Sequence, residues 1–268
     1  MNGRCKLCLK DKIDLQNSHF LPAGIYRRLR DDKEANPNPW MITNKKSIQT
    51  SWQMTAPLLC RCCEQRLSKN GENWVLANCL QKDGRFPLAA ILGSRTPDIA
   101  SGTTATKIYY ASKIPEIDVS ALFYFGISIF WRGSIHPWND DGSSPVMLGL
   151  FGEQFRQYLM GENAFPKDCS FWVVVREGKE ISRLTYFPIG ERKGIYHVYK
   201  FPMPGFALSV MVGKNIPANL RAGCFVRGVG NPIIVTPIIE KLLEEEAVKL
   251  HKMAASAQPL NRALKSRT

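Results

Sequence analysis

Two cysteine pairs organise this chain: Cys5-Lys6-Leu7-Cys8 near its start, and Cys60-Arg61-Cys62-Cys63 after a long gap. Each pair has two residues between its sulfurs when Cys60 partners Cys63. That spacing lets a tight turn aim two thiolates at one ion, so Cys5, Cys8, Cys60 and Cys63 predict a closed, structural Zn²⁺ site. Cys62 competes with Cys63 as the fourth ligand, but Cys60 and Cys62 have only one residue between them. Asn17-Ser18-His19-Phe20-Leu21-Pro22 lies between the pairs, and Glu64-Gln65-Arg66-Leu67-Ser68-Lys69 follows them.

The 268 residues are 44% hydrophobic, which places the chain among globular proteins and leaves the metal as a local organiser. A net charge of +13 points to nucleic acid as partner, because neutralising phosphates releases counterions. The bland alternative is a basic protein whose charge serves only solubility. The chain runs into its first cysteine pair without an apolar leader, and its longest apolar stretch, 119–131, is too short to span a bilayer. The expectation is a cytoplasmic protein with no membrane partner, whose reduced thiols favour metal over disulfides. Cys79, Cys169 and Cys224 read as single core cysteines.

Alternation predicts a strand over 12–20, and apolar spacing predicts a helix over 23–30 with Arg27, Arg28 and Arg30 on its polar side. One or two strands are expected within 40–59, and a helix over 64–80, weakened in its middle by Asn70-Gly71. Glycine, proline, serine and threonine collect in 81–106. Beyond them a strand is expected at 107–112, a buried helix at 119–135 and an amphipathic helix at 150–160. Strands follow at 171–175, 183–187, 196–201, 206–212, 224–229 and 233–235, then a helix over 238–254 whose early glutamates and late lysines suit the helix dipole. The fold class is therefore α+β, with an N-terminal zinc module and a mixed domain carrying an antiparallel sheet. The boundaries are 1–85 for the module, 86–106 for the linker, 107–254 for the mixed domain and 255–268 for a basic tail.

Cys5-x2-Cys8, Ser18-His19-Phe20-Leu21-Pro22 and Leu58-Leu59-Cys60-x2-Cys63 together resemble the HNH (His-Me finger) endonucleases over residues 1–80. The whole chain, including Ile129-Phe130-Trp131-Arg132, resembles a family of uncharacterised bacterial HNH-like proteins of similar length. The resemblance implies a ββα-metal, treble-clef-like module with His19 as general base and a second ion, Mg²⁺ or Mn²⁺, at the scissile phosphate. Three positions depart from the family pattern. Ser18 stands where an Asp or His often helps bind metal, Thr55 falls where a second-strand asparagine is expected, and Glu64 replaces the helix histidine after the last cysteine. Glu64 still offers a hard oxygen ligand, with Glu72 to assist, and Asn44 or Asn17 is the substitute for the missing asparagine.

Each of these residues also has a structural reading. His19 can cap a strand, Glu64 can suit a helix N-terminus, and Arg27, Arg28 and Arg30 can form a solvated face in place of contacting phosphate. His136 and His197 read as turn and strand residues, and His251 as a helix C-terminal cation. The functional expectation is a metal-dependent endonuclease acting on nucleic acid, DNA first, with a defence effector as an extension by family analogy. The alternative is a non-catalytic zinc module that binds nucleic acid or a partner protein.

Overall fold

The computed structural model describes residues 1–43, 47–79, 81, 83–176, 184–203 and 205–237. The expected helix at 238–254, the basic tail, Asn44 and His251 lie outside the described residues. The architecture is mixed α+β with mainly antiparallel sheets.

The N-terminal region opens with β1 (Asn2–Gly3) and β2 (Ile13–His19), then α1 (Ala23–Arg28), β3 (Trp40–Ile42), β4 (Ser47–Gln49) and β5 (Thr55–Cys60). Strands β1, β2 and β5 form one antiparallel sheet, with β2 in the middle. Pro22 sits just ahead of α1, where its fixed φ ends the strand and its missing N–H is harmless. From Arg61 the chain is helical to Asn78: α2 (Arg61–Leu67), a π-helical turn at Ser68–Glu72, and α3 (Asn73–Asn78). The helix thus starts three residues before the expected 64, and its weak middle is a π turn, not a break. The reason lies at Gly71, where a Cβ would stand 2.8 Å from the backbone nitrogen of Phe125. The extra residue in the turn and the absent side chain let a second helix approach to backbone contact.

That second helix is α5 (Val119–Ser134), which follows α4 (Pro87–Gly93), β6 (Ile99–Ala100) and β7 (Lys107–Tyr110). Residues 86–106, expected as a linker, therefore contain a helix and an edge strand that pairs with β7. Asp118 caps α5 by accepting the Ala121 N–H at 2.8 Å, and the helix is buried from Ala121 to Gly133. Its apolar circumference faces the π turn on one side and the main sheet on the other. Phe123 and Phe130 meet Phe171 with ring centroids 5.1 and 6.4 Å apart.

After α6 (Phe151–Met160) come β8 (Cys169–Val175), β9 (Leu184–Thr185), β10 (Ile189–Lys193), β11 (Tyr196–Met203), β12 (Phe206–Gly213), α7 (Ala218–Ala222) and β13 (Pro232–Val235). Seven strands form one sheet in the order β10-β11-β12-β8-β13-β7-β6, antiparallel except for the parallel pair β13–β8. Residues 224–229, expected as a strand, form turns in which the Gly228 N–H donates to the Cys224 carbonyl. A small sheet β4-β3-β9 joins the segment between β2 and β5 to the second region through the parallel pair β3–β9. One cluster of buried side chains runs from Cys5 and Leu7 through Phe20 and α5 to Val235. No helix among the described residues is long and apolar enough to cross a membrane.

Candidate functional site

The two cysteine pairs meet at one end of the β2–β5 hairpin. Cys60 ends β5 opposite Leu15, and Cys63 lies one turn into α2, so a strand-to-helix junction presents both sulfurs on one side. Cys5 and Cys8 sit on a turn closed by Cys5 N–H to the Lys10 carbonyl (3.0 Å) and tied to β5 by Lys6 N–H to the Leu58 carbonyl (3.0 Å). The four sulfurs all lie within 4.8 Å of one another, and Cys8 Sγ to Cys60 Sγ is 3.9 Å. Zinc–sulfur bonds of about 2.3 Å in a tetrahedron place sulfurs roughly 3.8 Å apart, whereas a disulfide needs about 2.0 Å. The four thiols can therefore hold a metal ion. The Cys60 N–H donates to Cys5 Sγ at 3.4 Å, the kind of contact that orients a ligating thiolate. Hydrogen bonding from Cys63 brings the Cys5 thiol down to about 4, while the same contact pushes Cys63 up. Thiols packed this closely cannot all ionise without a cation among them. Cys62, the rival ligand, is exposed and outside the cluster.

His19 occupies the other end of the hairpin. A bulge between Gln16 and Asn17 shifts the register so that Thr55 lies directly opposite His19 and Pro57 opposite Asn17. Residues two apart on a strand share a face, so Asn17 and His19 look outward with Thr55 while Ser18 turns in. Ser18 is buried, and its hydroxyl accepts the Leu59 N–H at 3.1 Å. It closes the bulge and offers no ligand to an ion on the His19 face. The His19 ring is half-buried and tilted against Tyr26, with centroids 6.5 Å apart. The second-strand residue facing it is thus Thr55 and not an amide. Asn17 is exposed on the same face, available as the substitute.

Glu64 lies in the first turn of α2, a favourable place for a carboxylate beside the helix N-terminus. Its Oε1 is nevertheless buried with no hydrogen-bond partner among the described residues. Glu72, the expected assisting ligand, pairs through Oε1 with Arg132 of α5.

In the sequence Arg132 closes the Ile129-Phe130-Trp131-Arg132 stretch, as a cation near the end of an apolar helix. It is buried, bonds Glu72 through Nη2 and donates from Nη1 to the Phe20 carbonyl at 3.3 Å. The residue immediately after His19 is thereby fixed from the second region. Arg156 of α6 acts similarly on the cysteine turn. Its Nη1 donates to the Leu7 carbonyl at 3.0 Å, while Glu153 and Glu162 hold the rest of the guanidinium. A strong charge inside an apolar helix is the sequence signal for such a group, since arginine is buried only when paired.

The three arginines of the expected phosphate-binding face have different surroundings. Arg27 is exposed, Arg28 is partly buried in a small crevice beside Cys79, and Arg30 donates to Asn38 Oδ1 at 2.7 Å. Comparison with protein-family models, curated proteins and solved structures finds no match to this chain.

Proposed function

We propose that residues 1–80 form a ββα-metal module, organised by a structural zinc, that hydrolyses phosphodiester bonds in nucleic acid, with DNA as the favoured substrate. The observation that supports this reading is the buried, unpartnered Oε1 of Glu64, in the first turn of the helix that starts at the cysteine cluster; that helix packs against β2, whose far end carries His19. An orphaned carboxylate oxygen costs about 1–3 kcal/mol or more, and a hard divalent cation is a fitting partner for it. Mg²⁺ or Mn²⁺, when bound there, supplies Lewis acidity toward a phosphate oxygen. His19 takes a proton from the attacking water at its outward-facing ring. Arg132 holds the Phe20 carbonyl and so the chain direction at that ring. Ser18 keeps the bulge that turns His19 outward, and Asn17 is the nearest amide on the same face.

The second reading, a non-catalytic module that binds nucleic acid or a protein, is favoured by Thr55, whose short side chain faces His19 where an orienting amide is expected. Cleavage assays on duplex and single-stranded DNA and on RNA, with Mg²⁺ and Mn²⁺, separate the two. On the enzymatic reading His19→Ala lowers cleavage by about 10²–10⁴-fold and leaves zinc content and circular dichroism unchanged. Glu64→Gln raises the Mg²⁺ or Mn²⁺ concentration required. Cleavage fully retained in His19→Ala overturns the mechanism. No cleavage of any substrate, with no second ion bound in calorimetry, selects the binding module.

A further inference from the structure

A cavity lies away from the cysteine cluster, on the second region. It has a volume of about 350 Å³ and lies against the β10–β11 ribbon, roofed by the segment around 139–147 and by the end of β3. That volume falls at the lower end of the range for small-molecule sites, about 300–1,000 Å³.

Its floor is built by register. Arg192 pairs with His197 and Gly190 with Tyr199, and directly opposed residues of an antiparallel pair share a face, so all four lie on one side of the ribbon. At Gly190 a Cβ would stand 2.7 Å from Cε1 of Tyr199, so the missing side chain lets the tyrosine ring lie across β10. The rings of His197 and Tyr199 are parallel to within 8°, with centroids 6.2 Å apart. A planar ligand stacked on one ring is therefore parallel to the other.

The roof is tied to the floor. Tyr199 Oη donates to the Met147 carbonyl at 2.8 Å and accepts the Met147 N–H at 3.1 Å. Ser144 Oγ donates to the His136 carbonyl at 3.0 Å, and Asn139 Nδ2 donates to Ser143 Oγ at 2.9 Å. Asn139, Ser144 and Thr43, whose hydroxyl donates to Asp140 Oδ2, line the cavity on the roof side. The rim is cationic. Arg192 is anchored through Nε to the Gly194 carbonyl at 3.0 Å, and the neighbouring Glu191 carboxylate is taken up by Lys193.

We propose that this cavity binds a nucleotide: the base stacks along His197 and Tyr199, its edge meets the Asn139 side of the roof, and its phosphate is held by Arg192. The ligand is either a free nucleoside phosphate or an unpaired base within a strand, since both present the same chemistry. The site does not depend on cleavage at His19.

Calorimetry on the metal-loaded full chain tests it, with AMP, GMP, CMP, UMP and ribose 5-phosphate as separate probes and a single-stranded DNA tetranucleotide as a further one. At least one nucleotide or the tetranucleotide binds, and ribose 5-phosphate binds at least about fivefold more weakly because it lacks a stacking face. His197→Ala weakens binding by about 5–150-fold, the range expected for one stacked base. Arg192→Ala, at an exposed position, weakens it and flattens its salt dependence. Binding of free nucleotides identifies a nucleotide receptor, whereas binding of the tetranucleotide alone identifies a base held within a strand. The proposal is overturned by no binding at millimolar concentration, by equal binding of ribose 5-phosphate, or by wild-type affinity in Arg192→Ala. His19→Ala binds nucleotide as the wild type does, so failure of the nuclease reading leaves this result intact.

Discussion

Replacing Arg132 by methionine tests how the two regions are joined. Methionine preserves most of the side-chain length and apolar packing, so the variant isolates the guanidinium. The Arg132 side chain is 2% exposed and that of Glu72 12%, so this pair is screened little by water. Removing one partner of a buried ion pair costs about 3–5 kcal/mol, because the other charge is left uncompensated. The Phe20 carbonyl also loses its Nη1 donor, which puts the expected loss toward the upper part of that range. For a chain of this size it corresponds to a fall in Tm of about 6–20 °C. The assay is guanidinium denaturation of the metal-loaded protein, followed by far-ultraviolet circular dichroism. Glu72→Gln alone and the double variant complete a cycle, and the double variant should recover about 0.5–3 kcal/mol relative to the sum of the singles. A loss below about 1 kcal/mol in Arg132→Met, or strict additivity in the cycle, would refute the assignment of this pair as a buried clasp.

Four further outcomes follow from the geometry. Metal analysis should give about one zinc per chain, and Cys60→Ser should lower it and destabilise the fold, whereas Cys62→Ser should leave both unchanged. Gly71→Ala should destabilise by about 1–3 kcal/mol in thermal melts, opposite in sign to the usual helix gain, since the new methyl meets the Phe125 backbone. Arg156 beside Glu153 holds its carboxyl below the ordinary 4.5, so that pair stabilises the fold above pH 4.5 and loses its contribution as pH falls through the lowered value. Arg156→Met should flatten that acid limb, with a small amplitude because Glu153 is half-exposed. If nucleic acid is the partner, Arg27→Ala should reduce the slope of log affinity against log salt by about one, as for the loss of a single phosphate contact.

The cysteine cluster was legible because a metal site is written in local spacing, and each pair needs only its own turn. The strand before Pro22, the helix α5 and the aromatic strands β8, β11 and β12 were legible for the same reason: their periodicity is carried by their own residues. What escaped depends on distant partners. β6 is only two residues long and β10 is short and mostly polar, and each is a strand only because a neighbour pairs with it. Residues 224–229 are rich in strand formers, yet the turn hydrogen bonds around Cys224 and Gly228 override that preference. At the candidate site the sequence identified His19 and Glu64 as residues to examine. That Glu72 pairs with Arg132, and that Arg30 donates to Asn38, could be read only from the folded chain.

The arginine contacts also impose an order on synthesis. The last sulfur of the cluster belongs to Cys63, so an ion can close the first turn and the hairpin while most of the chain is still to be made. The Phe20 carbonyl finds its donor 112 residues further on, and the Leu7 carbonyl 149 residues further on. A nascent N-terminal region would thus be pinned by metal well before its backbone is satisfied, and would remain a partly solvated intermediate until α5 and α6 emerge. Metal shortage during translation would then be felt as aggregation of unfinished chains, even where the finished protein tolerates the loss.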